Sequence, residues 1–144
     1  MLLLQIRTQS DPNTLTEVRH RVSRALIDAG LNHYAAEDMR VAVSEVLANV
    51  YRHAYHEAIG PVSVRVSRFP SAVSVVVTDN GDTTLAPSVP RSAPSLSRRD
   101  GLGLYLVGRL TDDVVVRVNR RGHGLTVRLA KRVEVFSAPT DNAA

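Results

Sequence analysis

None of the 144 residues is cysteine, so disulfides, thiolate metal ligands and a cysteine nucleophile are excluded. Stability must come from packing, and a reducing compartment is compatible with this composition. Tryptophan is also missing and aromatic residues make up only 4% of the chain, leaving little surface on which unpaired bases could stack. No apolar run approaches the roughly 18 residues of a membrane span. The opening MLLLQIRTQS has no basic start and too few apolar residues for a secretory leader. A cytoplasmic protein without membrane contact is the expectation. What is present suits one globular domain with a real core, since 44% of the residues are hydrophobic. A net charge of +4 and a pI near 10.1 come from arginines, and they favour an acidic partner, a nucleotide or a nucleic acid without choosing among them.

Taken in order, Leu2, Leu4 and Ile6 alternate with Leu3, Gln5 and Arg7 as in a short strand. Ser10 or Asp11 caps a helix with Pro12 in its first turn, and Leu15, Val18, Val22, Ala25, Leu26 and Ala29 recur at helical spacing until Gly30 stops them. Arg21 and Arg24 fall on the solvated side. A second helix is predicted from His33 to about residue 57, ahead of Gly60-Pro61. Alternating valines then predict a hairpin, 62–66 with 73–77, turning at Pro70-Ser71. Residues 83–100 hold Pro87, Pro90 and Pro94 among serines and read as a long loop or lid. A glycine-bearing helix start follows at Gly101, then a second hairpin, 113–118 with 125–131. A single domain over 1–136 and a frayed tail over 137–144 are expected, with no internal repeat.

The segment Val41–His56 carries the most chemistry. Glu45, Asn49 and His53 recur every fourth residue, on one flank of a helix whose adjoining side holds Val43, Val46, Leu47, Val50 and Ala54. A carboxylate and an amide one turn apart suit a hydroxyl base and a magnesium ligand, and equally suit a flank that merely faces water. Asp79, at a strand end before Asn80-Gly81, puts a carboxylate at a sheet rim, where it could bind a flat base or close an Asx turn. Gly101-Leu102-Gly103 at a helix start offers backbone donors to phosphate, although Gly-X-Gly alone is a common pattern.

The order of these pieces resembles that of the GHKL, or Bergerat-fold, ATPases. Within them, Val43-Ser44-Glu45-Val46-Leu47-Ala48-Asn49-Val50-Tyr51-Arg52-His53-Ala54-Tyr55 is similar to the N-box of the bacterial anti-sigma factor serine/threonine kinases. The resemblance runs from Arg19 to Lys131. It implies an α/β two-layer sandwich, a mixed and mainly antiparallel sheet covered on one face by three main helices. It implies ATP and Mg2+, with the metal on Asn49 and with Glu45 orienting or deprotonating a partner's serine hydroxyl. His53 would have a structural part. Asp79 would accept from the adenine amino group, Gly81 would admit the base, and Thr126 would support the adenine end. Gly101, Leu102, Gly103 and Leu104 would shape the phosphate loop, and Arg19 would contact a partner. The family's last glycine after Asp79-Asn80-Gly81 is Thr83 here.

The implied function is that of an anti-sigma factor and kinase: it phosphorylates an anti-anti-sigma protein, whose binding the added charge abolishes, and it sequesters a sigma factor. No direct contact with nucleic acid is expected. Relatives of this kind dimerise, so a homodimer is the assembly that the resemblance allows. Two other classes are open: a non-catalytic ATP-binding adaptor, and a basic nucleic-acid-binding domain, for which no motif is present.

Overall fold

A computed structural model describes residues 1–95 and 102–134. The tail 137–144 and Gly101, together with Arg98 and Arg99 of the lid, lie outside the described residues. The elements run β1 (Leu2–Gln9), α1 (Pro12–Asp28), α2 (His33–Asn49), a π-helical turn (Val50–Ala54), β2 (Pro61–Arg68), β3 (Ala72–Asp79), α3 (Leu102–Leu110), β4 (Asp113–Val118) and β5 (Leu125–Arg132).

Five strands form one sheet in the order β1-β2-β3-β5-β4. Every pairing is antiparallel, so the expected mixed sheet has no parallel neighbour among the described residues. Both hairpins form as their valine alternation requires. Val64 faces Val77 across β2 and β3, and Val77 faces Val127 across β3 and β5. Because side chains alternate between faces, the buried Ile6, Val62, Val64, Val66, Val73, Val75, Val77 and Leu129 share the side on which the helices pack. The opposite face carries Arg7, Ser63, Arg65, Thr78, Thr126 and Arg128.

Asp11 caps α1 by accepting from the Thr14 amide at 3.0 Å, and Gly30 ends it at φ +92°, a left-handed backbone that glycine adopts without a Cβ penalty. The stripe Leu15, Val18, Val22, Ala25 and Leu26 is buried, whereas Arg21 and Arg24 are exposed. Asn32 caps α2 by accepting from the Ala35 amide at 2.8 Å, and Val43, Val46, Leu47, Val50 and Ala54 are all buried. The helix predicted to about residue 57 departs from expectation after Asn49: the ladder widens to a π turn, with Tyr55 N–H on the Val50 carbonyl at 3.3 Å. Such turns occur often at functional sites. His56 and Glu57 then take positive φ, 50° and 66°, and turn the chain out towards β2. No helix among the described residues is long and apolar enough to cross a membrane.

Candidate nucleotide site

Between α2, the end of β3, α3 and the lid lies a cleft of 860 Å³. Glu45, Asn49 and His53 border it from α2 and the π turn, Asp79 from β3, and Leu102, Gly103 and Leu104 from α3. Its apolar floor includes Val50, Val77 and Val127. Segments far apart in the chain thus meet at one opening.

Asp79 is 6% exposed, and burial of a carboxylate is costly unless it is hydrogen-bonded. Its Oδ1 accepts from the Gly81 amide at 2.9 Å and from the Leu125 amide at 3.2 Å. Oδ2 takes no hydrogen bond among the described residues, which leaves an acceptor held rigidly at the cleft. Gly81 has no room for a side chain: an added Cβ would lie 2.5 Å from the Ala54 carbonyl oxygen, where the π turn ends. Gly103 is confined by a side chain and not by backbone, because its Cβ would stand 2.9 Å from Glu45 Oε2. Glycine at these two positions lets the Asp79 turn touch the π turn and α3 touch α2.

Several polar residues that sequence reasoning missed pin this rim. Tyr55 Oη accepts from the Asn80 amide at 2.8 Å and donates to the Pro61 carbonyl. Asn119 Nδ2 donates to the Asp79 carbonyl at 2.8 Å. His123 Nδ1 lies 2.8 Å from the Gly81 carbonyl, and His56 Nε2 lies 3.0 Å from Asp82. Burial pushes the Tyr55 phenol pKa up, a shift partly opposed by the Asn80 amide. Arg52 was also missed, and among the described residues it is the one arginine or lysine bordering the cleft. Its signal was available, since a residue three beyond Asn49 shares that helical flank.

Thr126 sits apart from the other predicted residues. Register partner to Thr78, it lies on the sheet face away from the helices and does not border the cleft. Its hydroxyl donates to Asn119 Oδ1 at 2.7 Å and so accepts from Thr78 Oγ1 at 3.1 Å. It braces Asp79 through Asn119. Arg19, on α1, is half-buried outside the cleft; burial lowers its pKa, and the Glu45 carboxylate pulls the other way.

The lid crosses the cleft at Leu85, Pro87 and Ser88. Its start is tied down by Gly124 N–H on the Thr83 carbonyl at 2.9 Å, and Val89 packs against Gly108 of α3. Arg91 is exposed and does not border the cleft.

A rigid acceptor for a base, two glycines at close contacts, a hard amide oxygen on Asn49 and a single arginine form a set that fits a nucleotide with magnesium. Magnesium prefers oxygen ligands and takes few from protein.

The sequence pattern of the histidine kinase-like ATPase domain family matches residues 8–131. Over 137 residues the chain is 33% identical to the serine-protein kinase RsbW of Bacillus velezensis, which covers 89% of this chain and 84% of that protein. It is 31% identical, with the same coverage, to the serine-protein kinase RsbW of Bacillus subtilis strain 168. A crystal structure of the RsbU and RsbW domains of a Mycobacterium tuberculosis protein superposes at a TM-score of 0.65 and 19% identity, over 90% of this chain and 31% of that one. At that identity the likeness is one of fold.

Proposed function

Since the chain belongs to the histidine kinase-like ATPase family, we propose that it is an ATP-dependent serine-protein kinase and anti-sigma factor. Its substrate is a serine of an anti-anti-sigma protein, and its second partner is a sigma factor that it sequesters. The observation that carries this reading is the meeting of Glu45, Asn49, Asp79 and Gly103 at one cleft.

Asp79 Oδ2 accepts from the adenine amino group, with Gly81 admitting the base. Asn49 Oδ1 supplies a ligand to Mg2+, which when bound offsets charge on the nucleotide phosphates. Backbone amides at Leu102 to Leu104 and the Arg52 guanidinium add to that neutralisation. Phosphoryl transfer asks the protein chiefly for positioning and charge stabilisation. Glu45 orients the serine hydroxyl and takes its proton as the serine oxygen bonds to the terminal phosphorus and the bond to the ADP oxygen breaks. Thr126 positions the rim through Asn119, His53 borders the cleft without touching the reacting atoms, and Arg19 meets the partner.

Transfer of labelled phosphate from ATP to the serine of a cognate anti-anti-sigma protein tests this. Glu45→Ala should slow transfer about 10²- to 10⁴-fold, the usual worth of an acid–base group, while still binding ADP. Tight nucleotide binding without transfer to any such partner would identify a non-catalytic ATP-binding adaptor instead.

A further inference from the structure

On the far side of the Asp79-Asn80 turn from the nucleotide cleft lies a second groove, of 600 Å³. The end of β1, the adjoining starts and ends of β2 and β3, and the β4–β5 turn wall it. Arg7 borders it from β1, and Arg120 and Arg121 border it from the turn. All three are exposed, and among the described residues none is paired with a carboxylate. Between them the lining is neutral and hydrogen-bonding, with Ser63, Thr78 and Asn119. The one carboxyl residue in the wall is Asp79, whose Oδ1 is engaged by the Gly81 and Leu125 amides.

Three like charges gathered at one rim repel one another. The fold gains nothing visible from them: none caps a helix, and none closes a turn through its side chain. A guanidinium presents a planar fork that matches a carboxylate or phosphate in bidentate fashion, so the cluster is complementary to several anionic groups at once. Bases would find nothing to stack on here. Among the described residues no aromatic side chain lines the groove, and the exposed aromatics Tyr34 and Phe69 lie at the start of α2 and at the β2–β3 turn, the opposite end of β2 from Pro61. Carboxylates on a polypeptide need only the forks, with the Ser63 hydroxyl as a neutral donor between them.

We infer that this groove docks an acidic segment of a protein partner, whose Asp and Glu side chains pair with Arg7, Arg120 and Arg121. The inference stands apart from the reading of the nucleotide cleft.

Fluorescence anisotropy with the full chain tests it, using a labelled Asp/Glu-rich peptide, the matching Asn/Gln peptide and a labelled oligothymidylate. The acidic peptide should bind and the neutral one should not, and binding should weaken as salt screens the charges. The triple variant R7S/R120S/R121S should bind the acidic peptide at least about tenfold more weakly with an unchanged melting temperature. Should the triple variant be unstable, Arg120→Ser alone, in an exposed turn, should still weaken binding. No binding of the acidic peptide, equal binding by these variants, or tighter binding of the oligonucleotide through the same arginines would overturn the inference.

Discussion

An added Cβ on Gly103 would stand 2.9 Å from Oε2 of Glu45, yet 3.9 Å from the nitrogen and oxygen of the Asn49 amide. The first distance is too short to persist, and the second is ordinary contact. Gly103 of α3 therefore controls the carboxylate proposed to handle the serine while sparing the amide proposed to handle the metal. Because the atom displaced is the tip of a flexible side chain, Gly103→Ala should fold normally. We expect phosphate transfer to fall at least about tenfold, equivalent to 1.4 kcal/mol, with ADP affinity nearly unchanged. A matched loss in both would show that Gly103 serves the nucleotide and not Glu45.

Asp79 separates a structural part from a recognition part. Its Oδ1 holds two backbone amides, so Asp79→Ala would strand both and lower the melting temperature together with binding. Asp79→Asn can retain that acceptor while offering the adenine amino group a second donor. ADP binding by Asp79→Asn should weaken about 5- to 150-fold, the cost of about 1–3 kcal/mol for an unmade hydrogen bond, with melting close to the wild type. Calorimetric titration beside a thermal melt checks both halves.

Tyr55 joins the π turn to the Asp79-Asn80 turn through the Asn80 amide. Tyr55→Phe keeps the ring and removes the oxygen. It should destabilise the protein by about 1–3 kcal/mol, since two hydrogen bonds, from the Asn80 amide and to the Pro61 carbonyl, are lost together, and weaken ADP binding by raising the mobility of the Asp79 turn. A purely structural residue would lower the melting temperature alone.

How far the sequence carried these conclusions differs from residue to residue. Asp11, Pro12 and Gly30 bound α1 through local chemistry, and the valine alternation set both hairpins, because caps and strand periodicity act over a few residues. The π turn was not legible. The polar spacing of Glu45, Asn49 and His53 continues through it unchanged, while the turn ends at Ala54, in close contact with Gly81 of a distant segment. Thr126 could have been oriented: with Val127 in the core, alternation puts its neighbour on the other face. Tyr55 and Asn119 reach partners 25 and 40 residues away, and nothing local marks such pairings.

Asp11 gives the fold an acid-sensitive contribution. The Thr14 hydroxyl and amide hold its carboxyl below the ordinary value of 3.8. A carboxylate depressed in the folded state stabilises fully above its unfolded pKa, and that stabilisation is lost as pH falls through the folded one. Asp11→Asn, which can still cap α1, should melt below the wild type at neutral pH. The gap should close as pH drops beneath 3.8. Melting curves across an acid series test this, and a constant gap would contradict it.

The cleft between α2, Asp79 and α3 is proposed to bind ATP with magnesium held by Asn49. Calorimetric titration of ADP and ATP into the wild type and Asn49→Ala, with and without magnesium, tests it most directly. Saturable one-site binding by the wild type, strengthened by magnesium, is expected, with that strengthening lost in Asn49→Ala. No nucleotide binding by the wild type, or an equal magnesium effect in both proteins, would contradict it.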